Sequence, residues 1–427
     1  MNAPTDWWSR RESRQEERYV DQQKPLKILF LTSSYPRSED DHAGVFLRHL
    51  AHHLCNRGLS IHVLAPSDGA SGTLTEGQVN VHRFQYFPKR MQKLAYGSGI
   101  LHNLRESPSL WIQVPFFVAA MGNSLLRLAR KERLDLIHAH WLIPQGLLAT
   151  FSKSWHRVPV LTTVHGSDAF RLKNGLLDRI KRKVLHKCEA WTANSHATAE
   201  ALGPDTATIK PHIIPMGVDV ERFRKGERGR LRSGLNKDDL VILFVGRVVR
   251  GKGVEFLLDA LSLLPSSLRP KIRLWVVGEG QDADRLQQRT HGASGTLKVR
   301  FWGALRNELL PDFYAAADLL VVPASDTEGQ GVVLAEAFAA RLCLLATRAG
   351  GIEEVVEDGV TGMLVQPGDS QALARAIAKL LTDPELRRKL ADNGFLRARN
   401  DYAWEIVAAR FEDLYRGVVE KAAKGAR

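Results

Sequence analysis

Two doubly wound α/β domains facing each other across a cleft are the architecture this 427-residue sequence predicts. Three observations point there. Short, continuous apolar runs recur between amphipathic segments, as strands buried on both faces of a parallel sheet require. That rhythm occurs twice, on either side of a polar, Arg-rich stretch at 219–239. The length suits roughly two or three domains of ordinary size.

In the first block, Lys27–Thr32 (KILFLT) reads as a strand. A polar loop then leads to Gly44 and a helix with apolar positions Val45, Phe46, Leu50 and Leu54. Ser60–Ala65, Leu134–Ala139, Val160–Val164, Ala190–Ala193 and His212–Ile214 continue the strand series. The second block repeats it with Leu240–Val245, Ile272–Val277, Lys298–Trp302, Leu319–Val322 and Leu342–Ala346, separated by helices such as Val254–Leu264 and Val332–Ala340. Beyond Ala346 only helices are expected. The chain thus divides into a disordered tail (1–24), a first domain (25–218), a linker (219–239) and a second domain (240–401). In open α/β sheets, ligands bind beyond the carboxyl ends of the strands, so the residues that follow each strand carry the functional reading.

Composition narrows the possibilities. With 44% hydrophobic and 25% charged residues, the chain is neither disordered nor collagen-like. Cys55, Cys188 and Cys343 lie far apart, which excludes a disulfide scaffold or CxxC knuckle and fits a reducing, cytoplasmic setting. The net charge of +13 is uneven: residues 1–218 hold 28 Lys+Arg against 18 Asp+Glu, residues 219–427 hold 32 against 29. Such an excess is either a solvated surface or the footprint of an anionic partner of the first half. Aromatic residues are not interleaved with the basic ones, which argues against nucleic acid. The polar segment 1–24 is neither a signal peptide nor a span. The apolar window Leu110–Ala129 is broken by Gln113, Pro115, Asn123 and Ser124 and reads as a buried or interfacial helix, short of the ~20 apolar residues of an anchor.

Three clusters carry chemistry. Gly246-Arg247 follows the strand LVILFV, and Gly251-Lys252-Gly253 opens a helix. A strand, a glycine turn, two cations and a helix N-terminus describe an anion cradle, although neither GxxxxGK[ST] nor GxGxxG is present. The second cluster is Glu328-Gly329-Gln330-Gly331, then a helix opening at Val332 and holding Glu336. Eight helical residues place two carboxylates ~80° apart and ~12 Å along the axis. Such a pair suits gripping two ends of one long ligand better than sharing one atom. The third is His165 in VLTTVHGSD, at a strand's carboxyl edge and followed by Gly166 and Asp168. His138 and His140 in HAHW are placed on opposite faces of their strand, so that at most one faces the cleft. No HExxH or comparable spacing occurs, and no metal site or cofactor is assigned.

Taken together, GR-x4-KG at Arg247 and Lys252, Glu-x7-Glu at Glu328 and Glu336, the HG of His165 and the IPMGVD of residues 214–219 resemble family 4 of the retaining nucleotide-sugar glycosyltransferases. The resemblance spans about residues 25–416, and YP…GVFLRHLAHHL and HAHWLIPQG are most similar to members that build exopolysaccharide, lipopolysaccharide or teichuronic-type glycans. It implies a GT-B fold whose last helix (402–427) crosses back to the first domain. It also implies a nucleoside-diphosphate sugar as donor and a glycan or lipid-linked acceptor. By the same resemblance Gly246, Arg247 and Lys252 hold the donor diphosphate, with Gly329, Gly331 and Val332 lending helix-end amides. Glu328 contacts the transferred sugar, Gln330 stands beside it where an aromatic or apolar residue is customary, and Glu336 takes the ribose. Gly303 and Leu305 meet the base, His165 lies beside the sugar, and Gly44 lets the first domain close on the phosphates. Arg341, Cys343 and Glu353 stand where the family carries glycine and two prolines. The basic helix Arg171–Lys187, with Leu172, Leu176, Ile180 and Val184 on one face, either rests on an anionic membrane surface at the inner leaflet or packs against the core. A nucleotide-sugar epimerase of the same fold and a diverged, non-catalytic binding protein are the rival readings.

Overall fold

A computed structural model describes residues 25–38, 41, 43–67, 72–97, 99–171, 175–203, 210–292 and 297–425; the tail 1–24 lies outside them. The first sheet has eight strands: β1 (Lys27–Leu31), β2 (Ser60–Pro66), β3 (Gly72–Glu76), β4 (Val79–Phe84), β5 (Leu136–His140), β6 (Val160–Val164), β7 (Ala190–Ala193) and β8 (His212–Ile213). Their order is β3-β4-β2-β1-β5-β6-β7-β8, all parallel except the β3–β4 pair. The second sheet consists of β9 (Leu240–Val245), β10 (Ile272–Val277), β11 (Lys298–Gly303), β12 (Leu319–Val322), β13 (Leu344–Thr347) and β14 (Met363–Val365). It is wholly parallel, in the order β11-β10-β9-β12-β13-β14.

Each sheet is covered on both faces. Ile28 and Phe30 of β1 pack with Leu47, Leu50 and Leu54 of helix Val45–Asn56, while Leu29 and Leu31 face Phe117, Met121 and Leu125 of helix Gln113–Glu132. In the second sheet the alternation recurs: Val241 and Leu243 meet one apolar cluster, Ile242 and Phe244 the other. This two-sided burial is why the strands read as unbroken apolar runs.

Three features depart from expectation. β3 and β4 form an edge hairpin that the sequence does not announce, because GTLTE is polar and largely exposed. β14 adds a strand after Ala346, where only helices were expected; three residues closing a turn carry too little pattern to read. Residues 219–239 are folded rather than a plain connector. Helices Val220–Arg224 and Arg228–Arg232 pack on the second domain, with Val220 and Phe223 in its core and Arg228 and Arg232 both paired with Asp318.

The chain crosses between domains twice at one place. The Val218 N–H donates to the Tyr402 carbonyl (2.7 Å) and the Trp404 N–H to that of Val218 (3.3 Å). Helix Trp404–Gly425 then lies on the first domain, burying Trp404, Val407, Phe411 and Tyr415 among the residues of β1 and helix Val45–Asn56. Arg341, where the family carries glycine, adopts φ 52°, and its guanidinium covers the Phe395 ring at 4.2 Å. Trp404 is 2% exposed and Gly217 leaves room for its indole, since a Cβ there would lie 2.5 Å from the ring. Trp404→Ala is therefore expected to remove about 3–5 kcal/mol from the unfolding transition of the first domain, read by chemical denaturation. An unchanged transition would show that the crossing helix adds nothing to that core.

Candidate functional site

Doubly wound sheets open a crevice where strand order reverses. In the first sheet that point lies between β1 and β5, in the second between β9 and β12. The loops leaving these four strands converge. One cavity of about 1350 Å³ takes Ser33, Ser34 and Gly44 from beyond β1 and Trp141 and Pro144 from beyond β5. From the second domain it takes Arg247 and Lys252 beyond β9 and Ser325 to Gly329 beyond β12.

Local sterics fix these loops. Gly44 (φ 76°) starts helix Val45–Asn56 so close to Ser34 that a Cβ would stand 2.3 Å from its carbonyl oxygen. Gly253 (φ 74°) starts helix Val254–Ser262, and a Cβ would meet the Pro323 oxygen at 1.7 Å. Both positions therefore demand glycine. The Gly251 carbonyl accepts from the N–H groups of Ser325 and Asp326, tying the loop after β9 to the loop after β12.

The expected carboxylate and cation meet. Lys252 Nζ donates to Glu328 Oε1 at 2.7 Å, with both side chains half-buried. The Glu328 backbone is held on both sides, its N–H donating to Ala349 and its carbonyl accepting from Gly351. Arg247 is exposed on the same wall. Gly246 leaves β9, its N–H bonded to Val277. Gly331 (φ 75°) is the N-cap of helix Val332–Ala339, and Val332 is exposed there.

Glu336 sits apart from the cavity, accepting from the Tyr314 hydroxyl at 2.6 Å. Burial raises its carboxyl above the usual range, opposed by that bond and by Arg222. Gly303 (φ 68°) ends β11 and Leu305 follows it, on the outermost strand of the second sheet. The two carboxylates thus lie in different surroundings, Glu328 in the loop before helix Val332–Ala339 and Glu336 within it.

Other residues do not stand where the sequence suggests. Gln330 is 2% exposed and spends its amide on one residue: Oε1 accepts from the Met216 N–H (2.6 Å) and Nε2 donates to the Met216 carbonyl (3.0 Å). It bridges the domains rather than facing the cavity. His138 and His140 share a face, with ring centroids 4.0 Å apart. Strand side chains alternate, so residues two apart point the same way, and the expected opposition is wrong. Lys181, one of the basic residues of helix Arg171–Lys187, is buried, donating to the Asp168 carbonyl and pairing with Asp178. In helix Gly175–Lys187 the apolar stripe is split, with Val184 buried and Leu176 exposed; Leu172 and Lys173 lie outside the described residues.

His165 packs between Phe46 (5.3 Å) and Trp141 (4.7 Å), its Nε2 3.4 Å from His140 Nδ1. Burial lowers its pKa to about 3, so the ring is neutral. The cavity wall itself is formed by its neighbours Gly166 and Asp168. The Asp168 carboxylate accepts from the His165 N–H. Its pKa rises from 3.8 to about 7, because burial outweighs backbone hydrogen bonds from His165 and Leu142 and the charge of Lys181. Trp141, held at φ 76°, and Asp168 are among the wall residues that the sequence reading left without a role. The only signal for Asp168 was its place after the HG.

Across the gap, Glu354 accepts from the N–H groups of His196 and Ala197, both at 2.7 Å. Among the described residues, no group of three or more His, Cys, Asp or Glu side chains is arranged to hold a metal ion. One helical run, Pro108–Glu132, is long and apolar enough by composition to cross a membrane, with mean hydropathy 1.3. Its Phe117, Met121 and Leu125 nevertheless sit in the first domain's core.

Two doubly wound domains with a shared cleft at their switch points define a class of two-domain α/β proteins, and comparison with known proteins names the family. Residues 43–222 match the model of Glycosyltransferase Family 4, and residues 227–397 that of Glycosyl transferases group 1. A D-inositol 3-phosphate glycosyltransferase of Xylanimonas cellulosilytica is 33% identical over 308 residues, covering 66% of this chain and 71% of the relative. TuaC of Bacillus subtilis, assigned by name to teichuronic acid biosynthesis, is 28% identical over 409 residues, 91% of this chain and 95% of the relative. The solved structure of Anabaena HepE in complex with UDP-glucose superposes with a TM-score of 0.69 at 21% identity, covering 92% of this chain and all of HepE. The chain belongs to the family 4, group 1 glycosyltransferases and has their GT-B fold.

The raised Asp168 value has a measurable sign. Folding favours the protonated carboxyl, so its contribution is whole below about pH 4 and is lost as the pH rises to about 7. Asp168→Asn is expected to melt higher than the wild type at pH 8, with the difference in Tm shrinking toward pH 4. A difference that stays constant over this range would show that the carboxyl is not held protonated by the fold.

Proposed function

We propose that this glycosyltransferase acts with retention and without a metal ion, moving a sugar from a UDP- or GDP-sugar to a hydroxyl of a glycan or lipid-linked acceptor in cell-surface polysaccharide or glycolipid synthesis. The observation that carries the reading is that the Lys252–Glu328 pair and Arg247 line one cavity that both switch points share, so that one ligand can touch both domains. HepE, whose solved complex contains UDP-glucose, supports a uridine donor.

In this reading residues 240–401 bind donor, and residues 25–218 with 402–427 bind acceptor. Arg247 and Lys252 hold the diphosphate, helped by the amides at Gly329, Gly331 and Val332, while Gly44 lets the opposite helix end approach it. Glu328 shares Lys252 with the phosphate and takes the sugar hydroxyls. Glu336 takes the ribose and Gly303 with Leu305 the base. Neutral His165, lodged behind Gly166, hydrogen-bonds the sugar rather than charging it. Exposed Arg179, Lys183 and Lys187 on helix Gly175–Lys187 leave a basic strip for an anionic inner-leaflet surface.

The chemistry follows from charge. As the bond from the anomeric carbon to the phosphate oxygen breaks, the leaving diphosphate gains negative charge. Fixed cations and amides aimed at that charge supply the dominant kind of catalytic stabilisation. The acceptor oxygen forms the new bond on the face the phosphate is leaving, and its proton passes to that phosphate, so configuration is kept. Lys252→Ala is expected to lower kcat by about 10²–10³-fold, as loss of one preorganised donor does. Saturating EDTA is expected to leave the wild-type rate unchanged. The measurement is release of nucleoside diphosphate from UDP- and GDP-sugars. Epimerised donor with no released diphosphate, or a fully active Lys252→Ala, sinks the assignment.

A further inference from the structure

Ile214 closes the first domain: its N–H donates to the Ala193 carbonyl at 3.0 Å, and its side chain is buried in that domain's core. Val218 already belongs to the second, buried with Val220 and Phe223. Between them run Pro215, Met216 and Gly217. Three residues including a glycine would set the angle between the domains only loosely. Gln330 removes most of that freedom. Both backbone groups of Met216 are spent on its amide, the N–H on Oε1 (2.6 Å) and the carbonyl on Nε2 (3.0 Å). Gln330 stands just before the cap of helix Val332–Ala339, whose Leu334, Ala335 and Phe338 lie in the second domain's core. Met216 is thus anchored on the second domain, and the passage shrinks to Pro215, whose ring fixes φ. The return crossing is as short, since Ala403 is buried in the second core and Trp404 in the first.

A glutamine suits this place because one planar group offers a donor and an acceptor side by side. Glutamate would offer two acceptors, and leucine neither. The loop so held is the one that carries the charged end of the cavity. Glu328 stands two residues before Gln330 and bonds Lys252. Gly329 between them rests against the first domain, where a Cβ would lie 3.2 Å from Asn194 Nδ2 and from Thr198 Oγ1. Glu354 also joins the domains, through the N–H groups of His196 and Ala197. Its side chain is only half-buried, so water can take the place of that contact. Gln330 and Met216 are both buried, and a group left unpaired there has no such substitute.

We propose that Gln330 is a positioning residue: by holding Met216 it makes Pro215 the joint between the domains, and so fixes where the first-domain wall, with Ser34, Gly44 and Asp168, stands relative to Lys252 and Glu328. For turnover this rests on the transferase reading; for the joint it rests on these bonds alone.

The test uses the full chain carrying Gln330→Leu or Gln330→Glu, each shown folded by circular dichroism. Gln330→Leu loses both bonds. Its kcat, measured as released nucleoside diphosphate, is expected to fall about 10²-fold, as misplacement of reacting groups by about 1 Å does. Its Kd for UDP or GDP, read by calorimetry, is expected to stay at the wild-type value, because second-domain residues hold the nucleotide. Gln330→Glu repels the Met216 carbonyl when ionised and donates to it when protonated. Burial raises that carboxyl, so the rate relative to wild type is expected to recover toward about pH 5 and to fall toward about pH 9.

Domain orientation gives a readout independent of turnover. Cys55, Cys188 and Cys343 are buried, so a thiol-reactive nitroxide reaches Leu74→Cys and Leu396→Cys, exposed positions of the first and second domain. The distance distribution between the two labels is expected to broaden in Gln330→Leu, and in Gln330→Glu only at the higher pH. A wild-type kcat or a wild-type distribution in Gln330→Leu overturns the proposal. A Gln330→Glu rate in constant ratio to the wild type across the pH range overturns it too, since lost stability alone carries no such dependence. Broadening in both variants, where the wild type itself releases no nucleoside diphosphate from any donor, leaves the joint standing and removes the transferase reading instead.

Discussion

The closeness of two loops constrains everything at this site. Between the turn after β9 and the turn after β12 there is no room for a side chain on Gly253, and Gly251 lies against the Asp326 side chain. A Cβ on Gly251 would sit 2.1 Å from the Asp326 carboxylate, and one on Gly253 1.7 Å from the Pro323 oxygen. Backbone therefore packs on backbone, and the Gly251 carbonyl is shared by two amides of the facing turn. Lys252, held next to Gly253 whose place no other residue can take, has its position set before any ligand arrives. Its ammonium lies within bonding distance of Glu328 because both loops are held to that separation. Preorganisation of this kind keeps a half-buried ion pair from having to rearrange before it meets a charge.

The same geometry explains which parts could be read from the chain of letters. Strands sealed on both faces announce themselves: Val160–Val164, Ala190–Ala193, Leu240–Val245, Ile272–Val277 and Leu319–Val322 lie where their apolar runs place them. An exposed edge such as Gly72–Glu76 has no such signature, because solvent imposes no apolar requirement on it. Arg247, Lys252 and Glu328 are legible as a set because each follows a strand at a topological switch, where the fold itself concentrates function.

Contacts between distant segments were the illegible part. Gln330 looked like a ligand-facing residue by its place in the EGQG run, yet its amide is matched to the backbone of Met216, a partner 114 residues away. Lys181 looked like one more cation on a solvated helix, yet it is sealed under the His165–Asp168 turn. Nothing in local spacing distinguishes a glutamine that clasps two domains from one that touches a sugar. The mistaken separation of His138 and His140 is of another kind, since period-two alternation already puts them side by side.

The crossing at Val218 and Tyr402 carries a consequence for how the molecule is made. β1 emerges among the first thirty residues, but the face it presents to helix Val45–Asn56 is also covered by Phe411 and Tyr415, and the Tyr415 hydroxyl bonds His138 at 2.8 Å. During synthesis the second domain has all six of its strands in hand some fifty residues before Phe411 exists. The first domain, translated earlier, must wait with an apolar flank uncovered until helix Trp404–Gly425 has been made. The first domain is therefore completed after the second, although its strands are translated before it, and its uncovered flank is the surface that a chaperone would shield.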